Sequence, residues 1–87
     1  MPGETIERAA IRTPAGVVYD LPKPARHHDV IAHMADRGVE AWPCNQGFTT
    51  SAGRFVDRFE AMDIARAAGQ LIAEPSMPDR LFSEDIF

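Results

Sequence analysis

Hydrophobic and polar positions change rhythm several times along this 87-residue chain, and each change predicts an element. TIERAAIR, residues 5–12, sets Ile6 and Ile11 among polar side chains; its alternation is imperfect, but it reads as a strand. VVYDL, 17–21, is β-branched and aromatic and predicts a second strand. Between them TPAG has turn chemistry, so the pair predicts an N-terminal hairpin. Pro22 and Pro24 then interrupt pairing because neither has a backbone N–H. From about Ala25 to Arg37 the period lengthens to that of a helix, with Val30, Ile31, Met34 and Ala35 apolar and Gly38 as the stop. Residues 39–46 have no clear period and read as a loop.

GFTT and RFV flank SAG, 51–53, which predicts a second, tighter hairpin. Asp57 is placed to cap a second helix, and Glu60 three residues on completes a D-x-x-E pattern resembling a capping box. Ala61, Ile64, Ala65 and Ala68 form its apolar stripe, and Gly69 ends it. The tail, 70–87, carries Pro75 and Pro78 before LFSEDIF; it is expected to dock as an extended segment or a short last strand. The order ββαββα predicts an α+β fold, one small single domain over 1–87 with two helices packed on an antiparallel sheet. With 45 % apolar and 25 % charged residues, the composition is that of an ordinary globular domain whose core is thin at this length.

Charge narrows the function classes. Thirteen carboxylates face nine basic residues, a net charge of −4, which does not suit direct nonspecific binding to a phosphate backbone. It suits a basic protein partner. No apolar run approaches the roughly 20 residues of a membrane helix. The acidic MPGETIERAA start is unlike a signal peptide, so the chain is expected in the cytoplasm. Cys44 is the single cysteine, which excludes an intrachain disulfide and fits a reducing compartment.

PARHHDVIAHM, 24–34, is the stretch richest in candidate chemistry. Successive helical residues turn by about 100°, so with His27 at zero His28 lies near about 100° and His33 near about 240°. A helical metal pair needs i, i+3 or i, i+4 spacing, which no two of these histidines have; no metal site or cofactor is expected. His27 points toward the apolar side and is expected as a neutral histidine bonded to a backbone carbonyl or to a hairpin. Asp29 and His33, i and i+4, are expected as an exposed acid–histidine pair. A pocket reading would use His27, His28 and Asp29. No P-loop, G-x-G-x-x-G or G-x-S-x-G is present, and no catalytic residue is assigned. Arg54, Arg58 and Arg66 alternate with Asp57, Glu60 and Asp63, which reads as a mixed solvated face.

Partner contact has its own candidates. Trp42 sits in the polar loop, Phe59 lies on the side of the second helix away from Ala61, and the tail sets Glu84 and Asp85 among Leu81, Phe82, Ile86 and Phe87.

RHHDVI, then QGF followed by Thr and Ser, then GRFVDR with EA, IA and AGQ at helical spacing, then LFSED, resemble a group of small proteins encoded by phages and prophages of Gram-negative bacteria. The resemblance covers most of the chain from Leu21 onward. Phe59 stands where an acidic residue is expected and Phe87 where a Trp is expected. The group has no general catalytic assignment. What the resemblance implies is a non-enzymatic phage inhibitor in the cytoplasm of the bacterial host, for example an anti-CRISPR protein that binds a type I effector complex and blocks DNA recognition. Trp42, Phe59, Glu84 and Asp85 would meet the basic host protein or nucleic-acid-binding complex. Two other readings are a small-molecule-binding or enzymatic accessory protein of phage nucleotide or nucleic-acid metabolism, and a structural phage component that self-associates, in the simplest case as a homodimer.

Overall fold

A computed structural model of the chain describes residues 3–22, 24–40, 44–72, 74–75 and 77–86. Strands β1 (Ile6–Arg12) and β2 (Val18–Asp20) form the first hairpin, helix α1 (His27–Asp36) follows, β3 (Asn45–Thr50) and β4 (Phe55–Asp57) form the second hairpin, and α2 (Arg58–Ala67) leads into the tail. The sheet is antiparallel throughout, in the order β2-β1-β3-β4. Both helices pack on one face, so the fold is α+β with the predicted order ββαββα.

The irregular pattern of β1 has a physical cause. Ile6 and Ile11 are five residues apart, which would place them on opposite faces of a regular strand. Ile6 pairs with Thr50 and Arg8 with Thr49, so Glu7 is an extra residue in a β-bulge. The bulge brings Ile6, Ala9 and Ile11 onto the covered face, where they meet Phe48, Val56, Val30, Met34, Ala61, Met62, Ala65 and Leu81. Both helices end as their glycines predict. Gly38 and Gly69 take positive φ, and the next residues, Val39 and Gln70, donate back to Met34 and Ala65 in Schellman geometry.

Two local expectations are corrected. The buried stripe of α2 is Ala61, Met62 and Ala65, whereas Ile64 is half-buried and Ala68 exposed. Ala68 is the C-cap residue, at the end of the helix, and the longer Met62 reaches the core instead. Asp57 does cap α2, accepting from the Glu60 N–H at 2.8 Å, but the Glu60 carboxylate meets Arg54 at 2.7 Å. Arg54 also grips Glu4 in a two-point contact at 2.7 Å, so the guanidinium links the chain start to α2.

The tail docks, but neither as an extended crossing nor as a strand. It ends in a short 3-10 helix, Ser83–Asp85, with Leu81 fully buried ahead of it. Among the described residues a single backbone bond, Leu81 N–H to Arg58 C=O at 2.9 Å, ties this part of the tail to α2, while Ile72 N–H to Asp85 C=O at 3.0 Å joins the two ends of the tail, and no ladder forms.

At the other side of the sheet Gln70 covers part of a strand edge. Its amide accepts from the Ile6 N–H at 2.7 Å and donates to the Ile6 C=O at 2.9 Å, replacing the neighbouring strand that short β2 does not supply there. Gln70→Ala is expected to lower stability by about 1–3 kcal/mol, since it strands two part-buried backbone groups. Urea unfolding, with Gln70→Glu as a variant that keeps only the accepting half, measures the loss.

Candidate functional site

His27 opens α1 and points inward, 6 % exposed. Its Nε2 lies 2.7 Å from the carbonyl oxygen of Gly47 and, since a carbonyl only accepts, Nε2 donates. The ring meets Phe48 edge-on, with centroids 4.9 Å apart. Burial pushes its pKa down to about 4; the Gly47 carbonyl opposes that shift, Arg58 adds to it and Glu84 opposes it. The side chain thus ties α1 to β3 in its neutral form.

The other members of the histidine stretch do not converge with it. His28 is 75 % exposed and lies 3.4 Å from Asp29. Asp29 turns back to accept from the Arg26 N–H at 2.8 Å, serving the start of its own helix. The expected Asp29–His33 pair gives way to another: His33 Nε2 accepts from Arg37 Nε at 3.1 Å, one turn toward the C-terminus. His27, His28 and Asp29 therefore share a short segment but line no common pocket among those described. Among the described residues no group of three His, Cys, Asp or Glu is arranged to hold a metal ion.

Of the partner-contact residues, Trp42 lies outside the described residues, as does Phe87. Phe59 projects from the outer side of α2, 52 % exposed, with the Arg80 guanidinium 5.1 Å from its ring centroid. Arg80 is itself engaged by Asp79 at 3.3 Å. Asp63, four residues beyond Phe59 and on the same side of the helix, is exposed, as are Glu60 and Met77. The result is an aromatic ring set among carboxylates. Glu84 and Asp85 differ from each other. Glu84 is exposed, whereas the Asp85 carboxylate accepts from the Phe82 N–H at 2.9 Å and closes its own turn.

The family model described as phage T4 y16D protein matches residues 5–87. The chain belongs to the phage T4 y16D protein family. No curated protein matches it, and no solved structure does. The match begins within the segment just before β1 and runs through the tail, so the bulged strand and the docked tail both lie inside what defines the y16D family.

In this y16D family member the residue that organises the tail is Arg58, which sequence reading assigned to a solvated face. Its guanidinium donates to the Leu81 carbonyl at 2.7 Å and to the Gln46 side chain, and lies 4.6 Å from the Phe82 ring centroid. Burial holds its pKa below the ordinary arginine range, with the Glu84 and Asp85 charges opposing that shift. The aromatic after LFSED's leucine was the available signal: Arg stacks readily on aromatic rings, but Phe82 is far from Arg58 in sequence. Ser83 completes the attachment, its buried hydroxyl accepting from the His27 N–H at 3.3 Å. No helix among the described residues is long and apolar enough to cross a membrane.

Proposed function

We propose that this phage protein acts by occupying a basic surface of a host nucleic-acid-binding complex, and that it does so without turnover. The observation that carries the reading is Phe59, half-exposed on α2 amid Glu60, Asp63 and Asp79. A large aromatic that its own fold leaves half-exposed, with the Arg80 guanidinium over its ring, is an anchor for a partner pocket, and nearby carboxylates steer it toward Lys and Arg. Glu84 extends the negative charge along the tail. Asp85 contributes less, because its carboxylate holds its own backbone. Net charge −4 and membership of a phage family support a target that normally holds phosphate, inside the bacterial host. The sharpest form of the proposal is an anti-CRISPR that blocks DNA recognition by a type I effector complex.

A purified type I effector and its target duplex test this directly. Added y16D family protein is expected to abolish the effector–DNA mobility shift at near-stoichiometric ratio, with inhibition weakening as salt rises. Phe59→Ala, and separately Asp63→Lys with Glu84→Lys, should each weaken inhibition by about tenfold or more, at unchanged melting temperature. Undiminished DNA binding by the effector sinks the anti-CRISPR form. Dimerisation in sedimentation that is lost in Phe59→Ala would assign the ring to a second copy of the chain.

A further inference from the structure

The sheet face opposite the helices carries a second feature, which meets the proposed partner contact at Phe59 and Glu60. A cleft of about 480 Å³ opens beside β4 and the start of α2, lined in part by Arg12, Asn45, Phe55, Asp57 and Arg58. That volume lies in the range of small-molecule sites. Its shape depends on Gly47, because any Cβ there would run into the Val56 carbonyl and lie 2.6 Å from Phe55 Cζ. With no side chain at Gly47, the Phe55 ring closes over it. The Arg12 guanidinium sits 5.4 Å from the centroid of that ring.

Arg12 differs from the other described arginines beside it. Arg8 is paired with Asp20, Arg54 with Glu4 and Glu60, and Arg58 is engaged by Leu81 and Gln46. Among the described residues Arg12 has no carboxylate partner; its one contact is the Phe55 ring. A guanidinium held against an aromatic face keeps its fork of N–H donors open, which suits two-point binding of a phosphate. Directly across the ladder from Arg12 stands Asn45, exposed and without a side-chain hydrogen bond among the described residues. Its amide offers one donor and one acceptor edge, the pattern that pairs with a nucleobase. Asp57, opposite Gly47 on the far strand, adds an acceptor suited to an amino group.

We infer that this cleft binds a nucleoside monophosphate whose base carries an exocyclic amino group, with Arg12 on the phosphate and Asn45 and Asp57 on the base edge. One unpaired cation matches one phosphate. Further phosphates would meet the negative charge of Asp57 and Glu60 in the same wall. The base amino group is what a carboxylate acceptor selects, favouring adenine, cytosine or guanine over uracil.

Titration of the full chain with AMP, CMP, GMP, UMP, ATP, adenosine and inorganic phosphate, followed by amide NMR, tests the assignment. At least one of AMP, CMP and GMP should shift the Arg12, Asn45 and Phe55 amides saturably. UMP, the free nucleoside and phosphate alone should bind about tenfold more weakly or worse, and ATP no more tightly than AMP. Arg12→Ala is expected to weaken the best monophosphate by about tenfold or more without moving the melting temperature, because Arg12 is exposed; Asn45→Ala should weaken it too. The inference fails if no monophosphate perturbs these amides, or if folded Arg12→Ala and Asn45→Ala bind as the parent does. Tighter binding of a single-stranded oligonucleotide, dependent on Arg8 as well as Arg12, would overturn it in favour of nucleic acid. Phe59 and Glu60 border the same cleft, but neither variant replaces them or Asp63, so the outcome is separate from that of the effector assay.

Discussion

Leu81→Ala is expected to lower stability by about 2–5 kcal/mol, a large share of the roughly 5–15 kcal/mol that holds a domain folded. Leu81 is fully buried in the main core, although it belongs to the tail. Its backbone is held at both ends by Arg58, through the Leu81 N–H to the Arg58 carbonyl and the Arg58 guanidinium to the Leu81 carbonyl. Truncation leaves a void between the tail and the helices that the fixed backbone cannot close. Other attachments are single polar contacts, such as Ser83 to the His27 N–H and Arg66 to the Pro78 carbonyl, worth about 0.5–1.5 kcal/mol each. The tail should therefore loosen before the sheet does. Urea unfolding gives the loss, and limited proteolysis should cut the variant between 70 and 80 sooner than the parent. Ile72→Ala, at a side chain 66 % exposed, is the control and should stay within about 0.5 kcal/mol. Equal stability of the two variants would contradict the docking of Leu81.

Mild acid should destabilise the protein through His27. In the folded chain the His27 pKa is about 4, against 6.5 for the free side chain, chiefly because burial disfavours the charged ring. Between those values the unfolded chain binds the proton and the folded one does not, so stability falls as pH drops from about 6.5 to about 4. Below about 4 both states are protonated and this loss levels off. The full effect is of order 3 kcal/mol. Glu4 acts in a lower window. Arg54 and Thr50 hold its pKa down to about 2 from 4.5, so its contribution is complete above 4.5, is lost progressively as pH falls from 4.5 to about 2, and is gone below that. Thermal melts at several pH values should show the first slope in the parent and not in His27→Gln, which has no titrating ring. A slope that persists in His27→Gln would place the effect elsewhere.

Much of the fold was legible because its signals are local. TPAG and SAG turn the two hairpins, Asp57 caps α2 through its own first turn, and Gly38 and Gly69 close helices within a few residues. The direction of His27 also followed from helical geometry alone, and the structure supplies the backbone carbonyl that the reading required. Its partner, Gly47, is 20 residues away. The candidate site was less legible. Phe59 was placed correctly on the outer side of α2, but Arg80 reaches its ring only through the return of the tail. Asp29, read as a partner of His33, serves the backbone instead, since an N–H at the start of a helix lacks an intrahelical acceptor. The cleft beside Arg12 had no signature in the linear pattern, because it is assembled from β1, β3, β4 and the start of α2.

The amino-acid order alone determined where the chain turns, where its helices stop, which class of fold results and which way His27 faces. These depend on backbone conformation and hydrogen bonds over a few residues. Tertiary structure decided the rest: the bulge that puts Ile6 and Ile11 on one face, the Gln70 clamp 64 residues from its strand, and the burial of Arg58 under the tail. Each joins groups far apart along the chain, and their worth comes from desolvation and packing, which exist only once the partner segment has arrived.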